Sequence, residues 1–421
     1  MIDQLHQIFL NSTGVNTDTR TIEKGQLFFA LSGENFDGNL YVEEALQQGA
    51  IHIVSKDSKW IGNDKVTVVK QVLNCLQQLA SFHRQHLNIP IIGLTGSNGK
   101  TTTKELIIAV LSTQFTVKGT EGNLNNHIGV PLTLLSFNSS HQIGVVEMGA
   151  NHPKEIATLC EIAQPNFGLI TNYGKAHLEG FGGLEGVKTS KSELYTYLRK
   201  SKGTAIIGRW DPEQIVRSTG IPQLYTPENT SLYSETPFIT FITEGHLIKT
   251  QLTGRYNYHN ALFAFTIGKI MEMAPEKIVK GIESYIPSNN RSQIIKIKNT
   301  KIILDAYNAN PSSMNVAIEN LAAQECAHKV AILGDMLELG AYTLIEHQSI
   351  SELTEELKIN DVFLLGEHFS KVVARHATQF RNLDSFCNFY KIHTDKEQVI
   401  LIKGSRAMGL ERLLNNQDWM P

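Results

Sequence analysis

The chain has 421 residues, which at about 150 residues per domain makes two or three domains and excludes a single small module. Lysine plus arginine number 38 against 41 aspartate plus glutamate, for a net charge of −3, and 41% of the residues are hydrophobic. That composition excludes a disordered chain and gives no electrostatic ground for nucleic-acid binding.

Short apolar runs and helical patterns alternate over 26–31, 41–48, 51–55, 66–69 and 71–84, the rhythm of an α/β domain. Asn88-Ile89-Pro90 interrupts it and a strand over 91–95 begins directly beyond, which puts a domain boundary near residue 86. The next segment carries three near-continuous apolar runs, 91–95, 143–148 and 167–171, suited to a parallel sheet covered on both faces. They terminate in Gly96-Ser97-Asn98, Glu147 and Asn172, and parallel sheets bind ligands at the carboxyl ends of their strands, so these ends are expected to converge. Further strands with Gly and Pro turns are read over 203–253, then a helix over 256–273.

Pro287-Ser288-Asn289-Asn290 reads as a linker. Beyond it, strands at 302–304, 330–333, 362–365 and 399–402 alternate with helical stretches and end in Asp305, Gly334-Asp335, Gly366-Glu367 and Lys403-Gly404. The expected domains are therefore 1–86, 87–287 and 288–421, all α/β. Cys75, Cys160, Cys326 and Cys387 show no C-x-x-C spacing, so neither a disulfide framework nor a thiolate metal site is expected. The first residues have no charged and apolar leader pattern, and no uncharged apolar run of about 18 residues occurs, so a cytoplasmic protein without membrane insertion is expected.

The most informative stretch is Gly93-Leu94-Thr95-Gly96-Ser97-Asn98-Gly99-Lys100-Thr101-Thr102-Thr103, placed between a strand and a helix. Small residues let the backbone wrap a polyphosphate, the helix N-terminus offers positive potential, Lys100 neutralises terminal phosphates, and the Thr101 hydroxyl can reach Mg²⁺. Leu94 occupies the first glycine position of the strict pattern, yet the flanks are right, and ATP is the expected ligand. Glu147, ending the neighbouring strand, is the carboxylate expected to help hold Mg²⁺.

The wording of this loop resembles the ATP loop of the Mur ligase superfamily, which includes the folylpolyglutamate synthases. Residues 122–133, Glu147-Met148-Gly149-Ala150, 176–182, 305–311, 333–340 and Lys403-Gly404-Ser405-Arg406 are similar to the branch that joins D-alanyl-D-alanine to UDP-N-acetylmuramoyl-tripeptide. The resemblance covers all three segments. It implies an N-terminal α/β domain for the UDP-substrate, a central P-loop ATPase-like parallel-sheet domain and a C-terminal Rossmann-like α/β domain. It also implies an ADP-forming peptide ligase of bacterial cell-wall synthesis, working as a monomer.

Further roles follow from the resemblance. His177 would be a ligand of a second Mg²⁺ and Lys191 a carbamate bearer facing it, with Lys188 the alternative bearer. Gly96, Ser97, Asn98, Gly99, Lys100, Thr101 and Thr102 would bind the nucleotide phosphates, with Asn257 and Asn260 at the adenine edge. Helix capping is the other use of Asn257. Arg291 and Asp305 would reach back to phosphates and ribose when the third domain closes. Thr17, Asp18, Thr19 and Arg20, with Phe36, Asp37 and Gly38, resemble segments that hold the UDP end, although Asn39 stands where many relatives have histidine. Asn125 and Asn126 would face the muramoyl or peptide part, and Asn308, Asn310, Lys403 and Arg406 the dipeptide carboxylate. Leu304 and Ala306 replace the acidic residue and serine of many relatives. The competing readings are a superfamily ligase with another acceptor, such as an amino-acid-adding muramoyl ligase or a folylpolyglutamate synthase, and a nucleotide-gated binding protein without turnover.

Overall fold

Strands that are apolar on both sides become the centres of parallel sheets, and three mainly parallel sheets organise the described residues, 1–288 and 290–415, of the computed structural model. Asn289 of the expected linker lies outside the described residues. The first sheet runs Val15–Asn16, Leu27–Phe29, His52–Ser55, Val66–Val68 in spatial order, all parallel. The helix Val72–Leu87 follows, stops at Asn88 in a left-handed conformation (φ +50°), and packs against helices of the central segment as well as the first sheet.

The central sheet has six parallel strands in the order Gln223–Tyr225, Thr204–Ile207, Phe167–Ile170, Ile91–Thr95, Ile143–Glu147, Val117–Gly119. Phe167–Ile170, Ile91–Thr95 and Ile143–Glu147 are adjacent, so the three polar strand ends expected to converge do lie side by side. One face is covered by the helices Lys100–Leu111 and Tyr256–Ile270, which bury Leu106, Ile107, Phe263 and Phe265. Full burial of each such side chain is worth about 1.5–3 kcal/mol. Residues 230–249 add a separate antiparallel three-stranded sheet.

The third sheet runs Gln293–Ile297, Thr300–Asp305, Gln398–Lys403, Lys329–Gly334, Asp361–Leu365, Thr378–Phe380. Its first strand is antiparallel, folded back by a tight turn at Lys298-Asn299, where Lys298 has φ +51°. Asp305 and Lys403 are thereby neighbours in register. The third domain rests on the central one through polar contacts: Asn310 Nδ2 donates to Asn98 Oδ1 at 2.7 Å, the Lys175 amide to Ser312 Oγ at 2.8 Å, and Lys175 Nζ pairs with Glu346 at 2.6 Å. Cys75 and Cys160 are free and buried, Cys326 is free and half-buried, Cys387 is buried, and no helix among the described residues is long and apolar enough to cross a membrane.

Candidate active site

A cavity of about 1090 Å³ opens where the carboxyl ends of the central strands face the third domain. The loop after Ile91–Thr95 forms one wall. Gly96 has φ +144°, and a Cβ there would stand 2.0 Å from Thr171 Oγ1, so the loop can run this close to the neighbouring strand only with glycine. Gly99, at φ +77°, starts the helix Lys100–Leu111. The next strand end fixes the loop: the Asn98 amide donates to Asn172 Oδ1 at 3.1 Å, Thr171 Oγ1 to the Asn98 carbonyl at 2.6 Å, and Ser97 Oγ to the Gly174 carbonyl at 2.7 Å. Lys100 Nζ donates to the Gly96 carbonyl at 2.7 Å. Burial lowers its pKa, Arg291 adds to that, and Glu147 opposes it. Ser97, Asn98, Gly99, Lys100, Thr101 and Thr102 all line the cavity.

Glu147 is almost fully buried beside them. Its Oε1 accepts from Asn125 Nδ2 at 2.8 Å, and its Oε2 is buried with no hydrogen-bond partner. An unpaired buried carboxylate oxygen is costly, and with the Thr101 hydroxyl on the same cavity Glu147 could hold a hard cation such as Mg²⁺, which takes oxygen ligands. Among the described residues no group of three or more His, Cys, Asp or Glu gathers to form a self-sufficient metal cage. Asn126 lines the cavity, but its Oδ1 accepts from the Ile128 and Gly129 amides and caps the helix Gly129–Leu135.

Lys191 is fully buried, its Nζ donating to the Ala150 carbonyl at 3.1 Å and lying 5.1 Å from the centre of the Phe181 ring. Burial, with Lys100 nearby, holds its pKa well below the ordinary lysine value, which favours the neutral amine. Lys188 differs: its Nζ pairs with Glu213 at 3.2 Å and with Glu185. His177 lines the cavity in a left-handed conformation, φ +52°, and its Nδ1 contacts Glu338 of the third domain. That hydrogen bond lowers the Glu338 pKa.

On the nucleobase side, Asn260 lines the cavity beneath Gly99, and its Nδ2 donates to Asn257 Oδ1 at 2.8 Å. Asn257 stands one layer deeper, buried, its Nδ2 donating to the Thr253 carbonyl at 2.8 Å. Sequence reasoning missed Trp210 and His259, which both line the cavity and stack face to face at 4.0 Å and 6°. Burial lowers the His259 pKa to about 4. They are 49 positions apart and meet only in the fold, so no local pattern announces them.

The third domain supplies the opposite wall. Arg291 lies over the Tyr307 ring at 3.6 Å, and both line the cavity. Asp305 Oδ1 accepts from the Ser292 amide at 3.1 Å, and its Oδ2 pairs with buried Lys403 at 2.6 Å. Lys403 also donates to the Asn308 carbonyl at 3.1 Å. Asn308 Oδ1 accepts from the Ala309 amide at 2.9 Å, and Asn310 caps the helix Pro311–Ala323 while bonding to Asn98. Arg406 is exposed, pairs with Glu411 at 3.1 Å and does not line the cavity.

Three family descriptions match successive parts of the chain: "Mur ligase family, catalytic domain" over residues 11–85, "Mur ligase middle domain" over 94–268 and "Mur ligase, glutamate ligase domain" over 290–406. The UDP-N-acetylmuramoyl-tripeptide–D-alanyl-D-alanine ligase of Bacillus subtilis is 35% identical, the match covering 96% of this chain and 92% of that one. The chain belongs to the Mur ligase family. The ligase of the same name from Escherichia coli is 32% identical over 95% of this chain and 92% of its own length. Among solved structures, MurF from Acinetobacter baumannii superposes with a TM-score of 0.87 at 29% identity, covering 99% of this chain and 98% of that one. MurF from Thermotoga maritima in complex with ADP gives 0.85 at 25% identity, covering 97% and 98%.

In this Mur ligase the N-terminal candidates lie outside the cavity. Asp18 caps the short turn Thr19–Thr21 and accepts three hydrogen bonds from the Arg20 guanidinium, at 2.9, 3.2 and 2.6 Å. Phe36 is exposed, and Gly38 packs tightly against the Leu31 backbone. Asn39 is buried: its Oδ1 accepts from Ser55 Oγ at 2.7 Å and its Nδ2 donates to Asp37 Oδ1 at 2.6 Å.

Proposed function

We propose that this chain is the ATP-dependent ligase that joins D-alanyl-D-alanine to UDP-N-acetylmuramoyl-tripeptide, producing ADP, phosphate and the pentapeptide precursor of peptidoglycan. The observation that carries the reading is the end-to-end likeness to ligases of that name, over a cavity with a P-loop on one wall. A carboxylate is a poor electrophile. Its oxygen attacks the γ-phosphorus of ATP, ADP leaves, and the resulting acyl phosphate is attacked at carbon by the dipeptide amine. The amine loses a proton, and the tetrahedral intermediate expels phosphate as the amide forms.

Phosphoryl transfer between anions needs alignment and charge neutralisation more than covalent help. Lys100 and the loop amides from Gly96 to Thr102 supply these to the β- and γ-phosphates. Mg²⁺, held by Thr101 and Glu147, with His177 and a carbamate on Lys191 at a second position, would neutralise further phosphate charge. The neutral amine of Lys191 can add to CO₂ with loss of one proton, which turns a buried base into an oxygen anion. Asn125, pinned on Glu147, faces the acyl substrate, and the Trp210–His259 stack offers a flat face to adenine. Asn260 supports the phosphate loop from below, with Asn257 behind it. Arg291 and Asp305 approach the nucleotide from the third domain. Thr17, Asp18, Thr19, Arg20, Phe36, Asp37 and Gly38 hold the UDP end on the first domain. A cytoplasmic monomer organised as domains 1–86, 87–287 and 288–421 is part of the same reading.

The test is product analysis from ATP, D-alanyl-D-alanine and UDP-tripeptides ending in lysine or meso-diaminopimelate, run in parallel. The expected result is a mass gain of one dipeptide less water, with one ADP per product. ADP release without mass gain, or a single amino acid accepted while the dipeptide is inert, overturns it.

A further inference from the structure

Lys104 lies one turn beyond Lys100 on the nucleotide-binding helix and is fully buried. Its Nζ donates to the Thr120 carbonyl at 2.5 Å and pairs with Glu105 at 2.8 Å. Taking a lysine head group out of water is expensive, and an apolar side chain of similar length would fill the space at lower cost. What Lys104 gains is a grip on a second segment. Thr120, also buried, accepts the Glu147 amide on its Oγ1 at 3.0 Å and donates its own amide to the Val145 carbonyl at 3.0 Å. Five residues on, Asn125 donates to Glu147 Oε1, and its carbonyl accepts the Gly149 amide at 2.8 Å. The segment from Thr120 to Asn125 thus touches Glu147 at both ends, through backbone and through side chain.

We infer that Lys104 is a positioning residue for the ligation reaction: acting through Thr120, it locks the nucleotide helix in register with the Glu147 strand end and the Asn125 loop. The groups that meet phosphate, cation and acyl substrate come from three separate segments. Lys100 and Thr101 travel with the helix, Glu147 with its strand and Asn125 with the loop. The Lys104–Thr120 bond is the side-chain tie from the helix to the other two, and it sits on the helix face below the phosphate loop. Partners standing behind a metal ligand carry about 10- to 100-fold in metal affinity or activity, and Lys104 and Thr120 occupy that place behind Glu147.

The inference rests on the proposed ligase reading, so the experiment has one arm that does not depend on turnover. Lys104→Met removes the bond to the Thr120 carbonyl and Thr120→Val removes the hydroxyl that accepts the Glu147 amide, each with little change in volume, and Thr120→Ser keeps that hydroxyl. Hydrogen exchange of peptides spanning 118–127 and 145–149 is measured on the full chain without substrates. Exchange should rise in Lys104→Met and Thr120→Val and stay at the wild-type level in Thr120→Ser, with thermal midpoints close to wild type in all three.

In the ligation assay, Lys104→Met and Thr120→Val should raise the Mg²⁺ concentration for half-maximal rate and lower kcat, each by about tenfold or more. KM for UDP-tripeptide should stay within about twofold, well inside one tenfold step of 1.4 kcal/mol. Thr120→Ser should restore both parameters. Wild-type Mg²⁺ dependence and kcat in a folded Lys104→Met or Thr120→Val overturn the role. If Lys104→Met does not fold, Lys104→Leu decides for the helix end, since Thr120→Val leaves the Thr120 carbonyl in place. Exchange effects in the variants, together with a wild-type chain that does not ligate, would refute the ligase reading and leave the tie itself standing.

Discussion

The two walls of the cavity are built on opposite principles. On the central wall, polar groups are held with capacity to spare: Glu147 Oε2 has no partner, Lys100 rests on loop carbonyls, and Lys191 rests on a carbonyl and an aromatic ring. On the third-domain wall the corresponding groups are spent on one another, Lys403 on Asp305 and Asn310 on its own helix and on Asn98. The first wall is prepared for charge that arrives with a ligand. The second is prepared to keep its own shape. Mutations on the two walls should therefore fail differently, in turnover on one and in stability on the other.

The largest effect expected is on the central wall. Lys100→Ala or Glu147→Gln should lower turnover at saturating ATP by about 10²- to 10³-fold, the usual loss for one preorganised electrostatic partner. The thermal midpoint should change little, because neither side chain completes a packed core. ADP release read beside differential scanning calorimetry checks both halves, and a Glu147→Gln enzyme with near-normal turnover would break the comparison.

Next in size is Lys403→Met, which leaves Asp305 without its cation. Breaking a buried pair by removing one partner costs about 3 kcal/mol, toward the low end here because Asp305 keeps some contact with water. Denaturant unfolding should show that loss. A Lys403→Met chain of wild-type stability and greatly reduced dipeptide affinity would mean that this lysine serves the substrate directly.

The Trp210–His259 stack gives the pH dependence. Burial depresses the His259 pKa from 6.5 to about 4, so the folded chain holds a neutral imidazole while the unfolded chain takes up a proton as pH falls below 6.5. Its contribution to stability is complete above pH 6.5 and is lost progressively toward pH 4. His6, also lowered to about 4 by burial and by neighbouring His83 and His86, adds to the same slope. The urea midpoint followed by tryptophan fluorescence should fall across that window, and His259→Gln should flatten the fall. The smallest effect is Asn310→Ala, about 1 kcal/mol for a lost helix cap, visible in denaturant unfolding with turnover almost unchanged.

The same division explains what the sequence could tell. Lys100, Thr101 and Glu147 were legible because a strand, a loop of small residues and a helix follow one another locally, and the loop's chemistry does not depend on distant chain. Glu147 needed one more step, the rule that adjacent parallel strands end at a common edge. Asn310 and Lys403 look in the sequence like free polar groups, yet their hydrogen-bond capacity is taken by residues 212 and 98 positions away. The strand Gln293–Ile297 was hidden because it pairs antiparallel through a two-residue turn just past the linker, and Val117–Gly119 because three residues make no periodicity. Trp210 and His259 carried no local signal, since stacking is a tertiary event.

On the ligase reading, this cavity activates a carboxylate by phosphorylation before the amide forms. The most direct measurement is the fate of oxygen in a UDP-tripeptide whose terminal carboxylate carries ¹⁸O at both positions, turned over with ATP and D-alanyl-D-alanine. An acyl phosphate requires one labelled oxygen to leave with inorganic phosphate and the other to stay in the new amide carbonyl, with ADP unlabelled. Label found in AMP, or phosphate released without label while the amide forms, would contradict it.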